Sequence, residues 1–156
     1  MQKIFQLNKK VAKIHPSDTL YIMVHPFWPV SVSHEFLSKI CGLIHDEDRP
    51  ILTLEVPWLL NETISTYKKL SPKGPRYFMF TKANTGDPKN IDKFIYIIER
   101  FKPQKIILGG ANLSGNENTG YTQCVGGFYN FFKPWAIRLN IKFIFNEELC
   151  WRIGSS

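Results

Sequence analysis

A three-layer α/β/α sandwich around a mostly parallel five-stranded sheet is the fold this sequence predicts, and three observations predict it. Five short runs are almost wholly apolar, as strands covered on both faces must be. Segments with helical apolar spacing lie between them, the alternation expected of βαβ units. The 156 residues suffice for one packed core and are few for two. No linker or internal repeat divides them, so residues 1–156 read as a single Rossmann-like domain.

Each element follows from its residues. Ile4, Leu7, Val11 and Ile14 recur at helical spacing and predict an N-terminal amphipathic segment. TLYIMV, residues 19–24, is an unbroken apolar run and the first strand. The helix over residues 33–47 opens at Ser33, whose hydroxyl can cap free amides, and carries Phe36, Ile40, Leu43 and Ile44 on one side. ILTLEV, residues 51–56, is the second strand. Pro57 suits the first turn of the helix after it, and SPKGP stops that helix. RYFMFT, residues 76–81, is the third strand, and KIILG, residues 105–109, the fourth. Between them lies the helix NIDKFIYIIERFK, ended by Pro103. A helix over residues 121–139, bent at Pro134, leads into the fifth strand IKFIFN, residues 141–146.

Composition narrows the function classes. A hydrophobic fraction of 44% without charge blocks excludes a disordered chain. No apolar run approaches the ~18 residues that a membrane span needs. The first twenty residues lack the apolar core and cleavage site of a signal peptide, which predicts a cytoplasmic protein without a membrane partner. Cys41, Cys124 and Cys150 are odd in number and far apart, so they read as free thiols. The net charge of +7 admits a small anionic ligand, a nucleotide or nucleic acid, but the lysines are scattered and the densest cluster, NKKVAK at residues 8–13, is short. The contiguous HDED at residues 45–48 points its side chains in different directions and does not suit a metal. No cofactor is expected. Aromatic residues make up 14% of the chain, and FFKPW at residues 131–135 could leave an apolar patch that a homo-oligomer would cover.

In open α/β sheets, ligands bind beyond the carboxyl ends of the strands, where the strand order reverses. The first strand ends in His25 and Trp28, the second in Glu55 and Trp58, the third in Lys82 and Asn84, the fourth in Gly109, Gly110 and Asn112, and the fifth in Asn146, Glu147 and Glu148. His25 borders the crevice in either common strand order. Glu55 is a carboxylate at the end of a buried run, which requires a partner, and it reads as a general base or ligand anchor. Lys82 reads as an anion anchor or as a charge that lowers a neighbour's pKa. Trp28 and Trp58 could stack on a planar ligand or simply cover the sheet end. Gly109, Gly110 and Asn112 would bring backbone close to that ligand. Gly110 and Gly115 mimic the spacing of a phosphate loop, but Asn116 and Glu117 stand where its lysine and hydroxyl belong, which rejects that reading. Cys124 falls near the start of the last helix, where unpaired amides and the helix dipole favour a thiolate and could bind an oxyanion. The structural alternative is a small buried hydrophobe.

The order SDTLYIMVHPFWP, FTKA, IILGG and GYTQCVGG resembles the isochorismatase-like cysteine hydrolases, three-layer α/β enzymes. The resemblance implies Cys124 as nucleophile, Lys82 as the catalytic lysine, and His25 at the position of the family's aspartate. It also implies a small-molecule hydrolase of the amide or ester type. In this chain the spacer between Gly110 and Cys124 is longer than the family's short turn, and Thr122 lies two residues before the cysteine instead of three. The other open reading is a non-catalytic module that binds a nucleotide, nucleic acid or another anion at the strand ends.

Overall fold

Strand β1 (Thr19–Val24) runs through the middle of the sheet with all six residues buried. The computed structural model describes residues 16–27, 34–46, 49–70, 77–83 and 86–152; the predicted N-terminal segment, the Ser33 cap, Trp28 and Asn84 lie outside them. β1 pairs in parallel with β2 (Ile51–Glu55), and β2 in parallel with β3 (Tyr77–Thr81). On its other side β1 pairs in parallel with β4 (Lys105–Asn116). A short β5 (Gly120–Thr122) folds back antiparallel on the end of β4, and β6 (Lys142–Arg152) pairs with β4 in parallel. The main sheet therefore reads β3-β2-β1-β4-β6, and the order reverses between β1 and β4.

The α/β fold and the largely parallel sheet agree with the sequence reading. The sheet has six strands rather than five, and β5 makes it mixed. The additional pairing was hidden in a polar stretch: Ser114–Thr122, Gly115–Tyr121 and Asn116–Gly120 face one another without an apolar run to announce them. Its turn is held by the Asn116 side chain, whose Oδ1 accepts from the Asn118 amide at 2.8 Å and the Thr119 amide at 2.9 Å. β4 and β6 consequently run further than their apolar cores suggest.

Helices cover both faces. Helix α1 (His34–Asp46) and helix α2 (Leu60–Leu70) supply Phe36, Ile40, Leu43, Leu60, Ile64 and Tyr67 to one layer, against Tyr21, Met23 and Ile51. Helix α3 (Ile91–Phe101) and helix α4 (Gln123–Arg138) cover the other, with Phe94, Ile98, Phe128 and Phe132 against Leu20, Ile22, Val24, Leu52 and Leu54. The two faces of β1 thus alternate residue by residue, as the two-residue period of a strand demands. α3 has clear end signals: Asn90 Oδ1 accepts from the Lys93 amide at 3.1 Å, and Lys102 closes the helix in the left-handed region. α4 continues through Pro134. Among the described residues, no helix is long and apolar enough to cross a membrane.

Candidate functional site

Three ionisable side chains end adjacent strands. The β-ladder carries on past the strands, with the His25 amide donating to Leu54 O at 3.1 Å and the Lys82 amide to Glu55 O at 2.9 Å. Lys82, Glu55 and His25 are thereby set side by side across β3, β2 and β1. They are 0%, 1% and 6% exposed, so each must find its partners inside the protein.

Strand alternation decides which layer each one meets. Lys82 keeps the parity of buried Phe80, whose side chain lies in the α3/α4 layer, and its Nζ donates to Ala83 O at 3.1 Å and to Cys124 Sγ at 3.5 Å. Glu55 keeps the parity of Ile51 and Thr53, toward α2. Thr63 Oγ1 of α2 donates to its Oε2 at 2.7 Å, and the Val56 amide donates to its Oε1 at 2.9 Å. His25 joins the two layers: its buried Nδ1 makes an ion-pair contact with Glu55 Oε1, and the side chain hydrogen-bonds to Cys124. With Nδ1 turned to the carboxylate, Nε2 is the ring nitrogen left for the sulfur.

Cys124 is the second residue of α4, in the turn whose amides lack intrahelical acceptors. The loop after β3 is pressed against that turn. Gly86 has φ +96°, and a Cβ there would overlap the Cys124 carbonyl oxygen. This close approach keeps Lys82 beside the sulfur. His25 and Gln123, at φ 46° and 65°, are non-glycine residues in the left-handed region. The other two described residues of this kind, Lys102 and Asn140, follow helix ends, where the conformation is ordinary. Left-handed backbone thus flanks both partners of the His25–Cys124 contact.

The electrostatics pull the two groups in opposite directions. Burial opposes a thiolate at Cys124, but the hydrogen bond with His25 and the positive charges of Lys82 and His25 outweigh it and hold the thiol below its ordinary pKa. Burial also disfavours a charged His25, yet the hydrogen bonds to Cys124 and Glu55 and the charge of Glu55 outweigh that penalty and the opposing charge of Lys82, holding the imidazole above its ordinary value. Cys150 is pushed up to about 12 by burial and the charge of Glu147, which outweigh the charge of Arg152. The pair is thus biased toward thiolate and imidazolium.

Of the residues singled out in the sequence, His25, Lys82 and Cys124 come together, and Glu55 joins them through His25. Trp58 stands on the 3₁₀ turn after β2 and is 68% exposed. Gly109 and Gly110 are buried strand residues: a Cβ on Gly109 would strike Leu149, and one on Gly110 the Val24 backbone, so close strand packing accounts for both. Asn112 lies half-buried in β4. Asn146, Glu147 and Glu148 sit within β6, not at its end, and Glu147 pairs with Arg152 at 3.0 Å. Among the described residues, no group of three or more His, Cys, Asp or Glu side chains is arranged to hold a metal ion.

Thr63 was missed by the sequence reading. It had a signal: Leu60, Thr63, Ile64 and Tyr67 form the buried stripe of α2, and a hydroxyl on such a stripe needs a buried partner. Searches of family models, of curated proteins and of solved structures found no match to this chain.

Proposed function

We propose that this chain is a cysteine-nucleophile hydrolase of small amides or esters. The observation that carries the reading is the convergence of His25 from β1 and Lys82 from β3 on Cys124 at the start of α4, with Lys82 Nζ 3.5 Å from the sulfur. In this reading the Cys124 thiolate attacks the substrate carbonyl, and first-turn amides of α4 receive the developing oxyanion. As the tetrahedral intermediate collapses, imidazolium His25 passes its proton to the leaving amine or alcohol, which leaves a thioester on Cys124. His25, now neutral, takes a proton from water as the hydroxide adds to the thioester carbonyl; the C–S bond then breaks, the carboxylic acid departs, and thiolate Cys124 beside imidazolium His25 is again the starting pair. Lys82 keeps the sulfur in its nucleophilic form.

A panel of small activated esters and aryl amides, read by intact mass under rapid acid quench, tests this. Wild type should accumulate an acyl adduct on Cys124 and turn over, whereas Cys124→Ala should show neither, with a loss of about a thousandfold or more in rate. Equal turnover by Cys124→Ala would contradict the reading. Stabilisation by phosphorylated ligands, independent of Cys124 and without any acyl adduct, would favour the anion-binding module instead.

A further inference from the structure

Glu55 is a buried carboxylate with partners on both oxygens, and the reaction proposed above does not use it. Its Oε2 is taken by Thr63 Oγ1 and its Oε1 by the Val56 amide, which leaves the His25 face as its remaining contact. Thr63 is itself buried and comes from a different element, so the carboxylate is clamped from both β2 and α2. Such a group is poorly disposed to bind substrate, because its oxygens face protein. It is well disposed to hold an imidazole.

We infer that Glu55, clamped by Thr63, is a positioning residue that keeps a proton on His25 Nδ1 and so directs Nε2 at the Cys124 sulfur. The inference rests on the hydrolase reading for its consequence, but not for its geometry. A carboxylate accepts only, so the nitrogen against it must donate. The neutral ring then has its lone pair on Nε2, the atom that can accept a proton from the thiol or from the attacking water. A leucine at position 55 is of similar size but offers Nδ1 no acceptor, so nothing then holds the proton there; a glutamine, whose oxygen the Val56 amide still holds toward Nδ1, keeps the tautomer and removes only the charge.

Two readouts test this without any substrate. In the first, long-range ¹H–¹⁵N spectra of full-length protein report the protonation of each His25 nitrogen. Nδ1 should carry a proton in wild type and in Glu55→Gln, and Glu55→Leu should shift it toward Nε2. A neutral wild-type His25 protonated only on Nε2 would overturn the inference whatever the variants do. In the second, the pH dependence of Cys124 alkylation by iodoacetamide is followed by peptide mass. Glu55→Leu and Thr63→Val should slow alkylation at pH 6 by about tenfold, and Thr63→Ser, which keeps the hydroxyl, should restore it. A purely structural role would lower melting temperature without changing this profile. Unchanged profiles in folded Glu55→Leu and Thr63→Val, with a reactive wild-type Cys124, would overturn the inference and leave the hydrolase reading intact. A wild-type Cys124 no more reactive than Cys41, with Nδ1 protonated, would do the reverse. Should Glu55→Leu fail to fold, the wild-type spectrum and the Thr63 pair still decide.

Discussion

At the residue scale, the behaviour of Cys124 and His25 follows from the company each keeps. Burial makes a cysteine less acidic, and at Cys150 burial and the charge of Glu147 outweigh the charge of Arg152. Cys124 differs because Lys82 and His25 face its sulfur. In the proposed hydrolase the active form carries a thiolate and an imidazolium, so it exists between the two ionisations. With the Cys124 value depressed, the acid limb of kcat/KM should fall below the ordinary thiol range of about 8.5, and with the His25 value raised, the alkaline limb should lie above about 6.5. Alkylation of Cys124, which needs only the thiolate, should show the acid limb and no alkaline loss. A profile that rises monotonically to the ordinary thiol range would remove the ion pair from the account. Position and residue type made His25, Lys82 and Cys124 legible in the sequence, since each follows an apolar run at a strand end or opens a helix. The link from Glu55 to His25 was not legible, because it depends on β1 and β2 being neighbours and on the turn of one imidazole.

At the scale of elements, the first turn of α4 and the loop after β3 act as a unit. Gly86 permits their contact, with a φ of +96° and no room for a Cβ against Cys124 O. Gly86→Ala should cost about 1–3 kcal/mol of stability from backbone strain and overpacking, measurable by denaturant unfolding. It should also slow Cys124 alkylation at pH 6 by moving the sulfur away from Lys82. Loss of stability with unchanged reactivity would mean that this contact does not set the site. The strands and helices were readable where apolar periodicity was strong, as in TLYIMV and NIDKFIYIIERFK. The β4–β5 hairpin was not, because Asn116, Gly115 and Gly120 build it by turn chemistry. The predicted start of the last helix at residue 121 therefore falls on β5, and helix geometry begins at Gln123.

At the scale of the whole molecule, β1 contributes to both core layers. Its Leu20, Ile22 and Val24 pack under α3 and α4, and Tyr21 and Met23 pack under α1 and α2. Neither layer can be lost without stripping one face of the same strand. Denaturant unfolding followed by tryptophan fluorescence and by far-ultraviolet circular dichroism should therefore give one coincident transition; separated midpoints would contradict a shared core. A groove lined by Ile98, Glu99, Lys102, Pro103, Leu139 and Ile141 lies at the amino ends of the strands, away from Cys124. Ile137 nearby is 74% exposed. His25, Glu55 and Lys82 instead lie together at the carboxyl ends of β1, β2 and β3.

The central claim is that His25 and Lys82 make Cys124 a nucleophile. Its most direct test is the iodoacetamide rate at pH 6 for each cysteine in full-length wild type, His25→Ala and Lys82→Met. Cys124 in wild type should react at least about tenfold faster than Cys41 and Cys150, and either substitution should remove most of the difference. Equal rates for all three thiols, or a Cys124 rate unmoved by both substitutions, would contradict it.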